Sequence, residues 1–130
     1  NWDLVDTSSS QIVGQYMLLV PTERKKLLVW VKSSHLWTRR IAVVSCYAFI
    51  RCGKFSEILK LCEISLSDSH DLMHKAGGWM LREVGKKDVN VLRKFLDKFA
   101  SQMPRTMLRY AIEKLNKSER ARYLQMKIVR

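Results

Sequence analysis

Apolar residues recur along the chain at helical rather than strand spacing. Leu27, Leu28 and Val31 share one face after the start signal Pro21-Thr22-Glu23. Ile41, Val44, Ala48 and Cys52 continue the pattern over 36–52, and Gly53 supplies a C-terminal stop. Ser56 opens a short helix to position 66, and Asp68 or Ser69 caps the next, which passes His74, Trp79 and Leu81 to a predicted stop at Gly85. Asp88 begins another to about Ser101, Pro104 occupies the first turn of the following one, and Ser118-Glu119 starts a last helix rich in Arg and Lys. Ser8, Ser9 and Ser10 fit an amphipathic helix with small residues near the beginning. The pattern predicts an all-α chain of about eight short helices, and no segment reads as a strand.

Short helices at regular spacing pack either as a compact bundle or as a solenoid, and internal repetition favours the second. Thr38-Arg39-Arg40-Ile41-Ala42 aligns with Met73-His74-Lys75-Ala76-Gly77 and then with Met107-Leu108-Arg109-Tyr110-Ala111. Arg40, Lys75 and Arg109 thereby fall at intervals of about 35 residues, each in the second helix of a helix pair. One further interval back from Arg40 lands on Asp6, a single carboxylate in the series. Second helices of successive pairs line one face of a solenoid, so these cations form a positive track suited to phosphodiesters. The plain alternative is that each is an ordinary solvated helix charge.

Composition favours the track. Lys and Arg number 24 against 12 Asp and Glu, a net charge of +12, and such an excess is relieved by a polyanionic partner. With 130 residues, 47% of them apolar, the chain is read as a single domain, 1–130, and as the C-terminal portion of a longer protein. Five Gly and two Pro are too few for a turn-rich β sandwich. The nearly apolar run 41–50 is far shorter than the roughly 18 residues a membrane span requires. Cys46, Cys52 and Cys62 lack metal or redox spacing and read as reduced core residues of an intracellular protein, cytoplasmic if bacterial. His70 and His74 stand four apart without a suitable third ligand, so neither a metal nor another cofactor is expected.

Trp2 and Asp6 are four residues apart, as are Lys75 and Trp79, which places each pair on one helix face. Tryptophan faces attract cations and a carboxylate stabilises developing positive charge. Both Trp residues also suit a plain core role. The segments Asn1-Trp2-Asp3-Leu4-Val5-Asp6, Leu36-Trp37-Thr38-Arg39-Arg40-Ile41-Ala42, His74-Lys75-Ala76-Gly77-Gly78-Trp79-Met80-Leu81-Arg82-Glu83-Val84-Gly85-Lys86 and Met103-Pro104-Arg105-Thr106-Met107-Leu108-Arg109-Tyr110-Ala111 together resemble the HEAT-like-repeat DNA alkylation repair glycosylases, the AlkD-like family. The resemblance covers nearly the whole chain, in order.

The resemblance implies a solenoid of antiparallel HEAT-like helix pairs acting on duplex DNA that contains alkylated bases, and the protein is expected to be a monomer. The implied reaction is hydrolysis of the N-glycosidic bond of cationic N3- or N7-alkylated purines. It assigns catalysis to Asp6 and substrate binding to Trp2, Trp79 and Arg40; DNA-backbone contact is expected, from the basic series itself, of Arg39, Lys75 and Arg109. Two departures stand out: family members carry further repeats ahead of the first segment, and Gly77-Gly78 replaces a single Gly, which predicts a slightly loosened helix. The rival readings are a DNA-binding member without chemistry and a helical-repeat scaffold for an acidic protein.

Overall fold

The computed structural model describes residues 4–126, with side chains from residue 8 onward. These residues form nine α-helices and no strand: α1 (Leu4–Leu19), α2 (Lys26–Trp30), α3 (Leu36–Ser45), α4 (Tyr47–Arg51), α5 (Ser56–Ser65), α6 (Asp71–Lys87), α7 (Val89–Phe99), α8 (Arg105–Ala111) and α9 (Lys117–Leu124). Short 3-10 turns, Pro21–Lys25 and Ala100–Gln102, precede α2 and follow α7. The main packing runs α1 against α3, α3 against α6 and α6 against α8, a row of side-by-side helices. Helices α2, α5 and α7 lie behind that row, on α3, between α3 and α6, and on α6 respectively. This two-layer array is compatible with a helical-repeat solenoid. The segments aligned by the repeat, those of Arg40, Lys75 and Arg109, fall on α3, α6 and α8 of the same row.

Several boundaries differ from the sequence expectation, each for a local reason. The predicted helix over 36–52 breaks at Cys46, where the backbone N–H bonds to Val43 three residues back. Ser45 Oγ donates to the Ile41 carbonyl and Cys46 Sγ to that of Ala42, a back-bonding that bends helices. Gly53, with φ of 75°, ends α4 as expected. The cap of α6 is His70, whose Nδ1 accepts from the Leu72 N–H at 3.2 Å; Asp68 instead accepts from the His70 N–H at 2.9 Å. Gly85 does not stop α6, which continues to Lys87 until the extended Asp88, φ −152°, ends it and caps α7. Pro104 is the N-cap of α8 rather than a first-turn residue, and Asn116 caps α9, which starts at Lys117, one residue before the predicted start.

Glycines set how closely the row packs. A Cβ on Gly14 would stand 2.5 Å from the Ser45 carbonyl oxygen, so α1 meets the α3–α4 junction backbone to backbone. A Cβ on Gly78 would meet Tyr110 Cβ at 2.5 Å and the Met107 carbonyl at 2.6 Å. The Gly77-Gly78 pair is therefore no loosening of α6 but the seat on which α8 rests. Met73, Met80, Leu81, Met107 and Leu108 are fully buried around that crossing. At the other end, α9 is tied to α7 by Arg93, which donates to both Glu119 oxygens at 2.9 and 3.0 Å, and by Tyr123 Oη to Asp97 at 2.8 Å.

Two predictions follow from this packing. Helix propensity alone favours Ala over Gly at both positions by about 1 kcal/mol. Gly78→Ala is nevertheless expected to destabilise by about 1–3 kcal/mol, because backbone must move. At Gly77 the nearest atom is the flexible Cε of Met107 at 2.8 Å, so Gly77→Ala should stay within about 1 kcal/mol of the parent. Urea unfolding midpoints distinguish the two. The second concerns acid: the Arg93 hydrogen bond holds Glu119 below its ordinary value of 4.5, and Arg82 does the same for Glu113. A carboxylate depressed in the folded state stabilises above its unfolded pKa and loses that contribution as pH falls through the folded one. The melting temperature should drop as pH is lowered below about 4.5, and Glu119→Gln should shrink that acid-dependent part of the loss.

Candidate functional site

A cavity of about 340 Å³ opens between α1, the α3–α4 junction and α6. Helix α1 lines it with Ser10, Gln11 and Gln15, the junction with Val44, Ser45, Tyr47, Ala48 and Arg51, and α6 with Trp79. The half-buried ring of Trp79 stacks on Tyr47 with centroids 6.3 Å apart and planes at 29°. The Arg51 guanidinium lies 5.9 Å from the Tyr47 ring centroid, extending the stack with a cation. Ser10 Oγ is buried and has no hydrogen-bond partner among the described residues, beside a wall that mixes the rings of Trp79 and Tyr47 with Gln11, Gln15 and Arg51.

The break at Cys46 is what allows this arrangement. In an unbroken helix each residue advances the azimuth by about 100°, whereas the tighter turn at Cys46 resets the direction of α4. Tyr47 and Arg51, at i and i+4, then share a face, as their cation–ring geometry shows. On α6, Trp79 directly follows Gly78, so the contact that seats α8 also fixes the backbone that carries the ring. Asp6 lies in α1, four positions before the cavity residue Ser10. The Asp6 side chain and the whole of Trp2 lie outside the described residues.

The cations of the sequence series divide into two kinds. Arg40 is not a solvent-facing rung: it is 1% exposed, with its guanidinium 4.8 Å from the centroid of the Trp37 ring. A buried guanidinium is costly to desolvate and acts on its protein neighbours rather than as one of a row of exposed phosphate contacts. Arg39 is likewise engaged within the fold. Its Nε donates to Asp68 at 2.9 Å and its Nη1 to the carbonyls of Ser33 and Ser34 at 3.1 and 3.3 Å, tying the turn before α3 to the one before α6. Among the described residues, Lys75 on α6 pairs with Asp71 at 3.3 Å, both side chains partly open to water, and Arg109 on the adjoining α8 is exposed. Lys75 and Arg109 are thus the members of the series placed to meet an external anion.

The histidines take structural roles. His70 caps α6, and His74 donates from Nε2 to the Asp68 carbonyl. No cluster of three metal-ligating side chains occurs among the described residues. No described helix is long and apolar enough to cross a membrane. Cys46 and Cys62 are free and buried, and burial pushes both thiols upward in pKa, whereas Cys52 is not the core residue expected but an exposed thiol at the Gly53 turn that ends α4. The sequence pattern does not single out Tyr47, Gln11, Gln15 or Arg51, and it marks Ser10 only as a small residue of an amphipathic helix. The Tyr47–Arg51 spacing repeats the aromatic–cation interval of Lys75–Trp79 and was the available signal.

The family model described as DNA alkylation repair enzyme matches residues 1–115. No curated protein and no solved structure matches the chain at a significant level.

The two kinds of cation should separate in stability measurements. Arg39→Gln is expected to cost about 1–3 kcal/mol, because it leaves the largely buried Asp68 carboxylate without its charged donor. Lys75→Gln should leave the urea midpoint unchanged, since its pair with Asp71 is open to water.

Proposed function

Because the chain belongs to the DNA alkylation repair enzyme family, we propose that it is a DNA glycosylase that hydrolyses the N-glycosidic bond of cationic N3- or N7-alkylated purines in duplex DNA. The observation that carries this reading is the cavity: an aromatic wall of Trp79 stacked on Tyr47, facing the helix that bears Asp6. Electron-rich ring faces favour a positively charged purine over a neutral one. The helix pairs are read as HEAT-like, with the row α1, α3, α6 and α8 turned toward DNA.

The chemistry asks little of the protein. An alkylated purine that already carries positive charge departs as a neutral base, so no general acid has to protonate it. As the C1′–N bond breaks, its electron pair goes to the purine and positive charge develops on the sugar. The Asp6 carboxylate stabilises that charge and orients a water; the water oxygen bonds to C1′ and passes one proton through the Asp6 carboxylate to solvent, leaving an abasic site. Trp2 and Trp79 hold the cation, and Lys75 and Arg109 supply backbone contacts. Arg40, buried on α3, acts as a positioning residue within the fold rather than as a phosphate rung.

Incubation of the protein with alkylated duplex DNA should release 7-methylguanine, and Asp6→Asn should abolish release while leaving duplex affinity nearly intact. Release that persists in Asp6→Asn removes the assigned catalytic residue, and loss of binding in that variant makes Asp6 a folding or docking residue instead. Duplex affinity itself should fall steeply with salt. Lys75→Gln/Arg109→Gln should lower the slope of log K against log salt by about two, as expected for two lost phosphate contacts.

A further inference from the structure

Behind the row that faces the cavity, α5 and α7 form a second concavity with a different character. Its volume is about 450 Å³, and its walls are Leu59, Val91, Phe95 and Phe99 with Lys60, Lys94, Lys98 and Glu63. Phe95 and Phe99 pack with ring centroids 4.8 Å apart, and Lys98 Nζ lies 5.1 Å from the Phe99 centroid. Lys60, Lys94 and Lys98 are exposed, and none of the three makes an ion pair with a described residue. The groove therefore has an apolar floor and a rim with three lysines against one glutamate.

We propose that the α5–α7 groove is a docking site for an acidic amphipathic helix of a partner protein. The apolar face of such a helix fills the floor, and its flanking Asp and Glu residues meet Lys60, Lys94 and Lys98. The lining on α7 runs from Val91 to Phe99, a rise of about 12 Å, so the groove accepts roughly two helical turns. The recess of the floor discriminates among takers of positive charge. Phe95 is only 6% exposed, while Leu59, Val91 and Phe99 are partly buried, so the floor lies recessed and favours an inserted apolar ridge over a flat bilayer surface. A DNA backbone gains its affinity from cations and has no use for an aromatic floor. The site lies on the layer opposite α1, α3, α6 and α8, and is independent of the glycosylase reading.

The test uses the whole chain and a fluorescein-labelled peptide of about four helical turns, with Leu at helical i, i+3, i+4 and i+7 positions and Glu elsewhere. Fluorescence anisotropy should show saturable binding, with a scrambled peptide of identical composition failing to bind. Lys94→Glu/Lys98→Glu, at exposed positions and checked for helicity by circular dichroism, should weaken binding by at least about tenfold. Unlabelled duplex DNA should bind without displacing the peptide. The proposal is overturned by equal binding of the scrambled peptide, by unchanged affinity in the double variant, or by absence of peptide binding. Displacement by duplex DNA also overturns it, since the groove is then a phosphate surface.

Discussion

The structure depends on backbone meeting backbone where α8 crosses α6. Gly78 lets Met107 and Tyr110 approach to a distance that any side chain would prevent, and the same device at Gly14 seats α1 against the α3–α4 junction. Between these two crossings lie all the elements that wall the cavity. Trp79 inherits its position from its neighbour Gly78, and Ser10 stands one turn before Gly14. Glycine inside a helix normally weakens it, yet here the lost propensity is outweighed by dispersion contacts over a tight interface. The geometry of the site is a consequence of two helix crossings more than of any loop.

The array was legible in the sequence because its cause is local and repeated. Apolar residues at helical spacing gave the helices, and the alignment of Arg40, Lys75 and Arg109 placed α3, α6 and α8 in one row. What the spacing did not carry was the direction each side chain takes. Arg40 and Arg39 are adjacent cations on one helix, but one is buried against Trp37 and the other clamps Asp68 and two carbonyls. Both outcomes depend on residues far along the chain or on the fit of a whole layer, which no periodicity reports. The same holds for Gly77-Gly78 and Gly85. A glycine within a helix looks like weakness until the partner helix is present, and Leu92 is what occupies the space beside Gly85.

Charge is likewise distributed by use rather than by abundance. The excess of +12 is a property of composition, but the cations differ in what they are free to do. Arg93 is committed to Glu119, Arg82 to Glu113, and Arg39 to Asp68, each fastening one element to another. Lys75 and Arg109 lie on one layer, whereas Lys60, Lys94 and Lys98 border a recess on the other. A long-range field from all of them draws polyanions toward the molecule, and the local surface then decides what is held.

The placement of the three thiols bears on survival in the surroundings where alkylation repair is needed. Electrophiles that alkylate ring nitrogens of DNA also attack sulfur, and they do so through the thiolate. Cys46 and Cys62 are both closed off from solvent and kept protonated by burial, with Cys62 Sγ directed to the Gly77 carbonyl. Cys52, beside the Gly53 turn, is the exposed thiol. An alkyl group added there projects into water at the end of α4, while the same group on Cys62 would press on the α6–α8 crossing. The fold thus exposes to chemical damage the thiol whose modification disturbs its packing least.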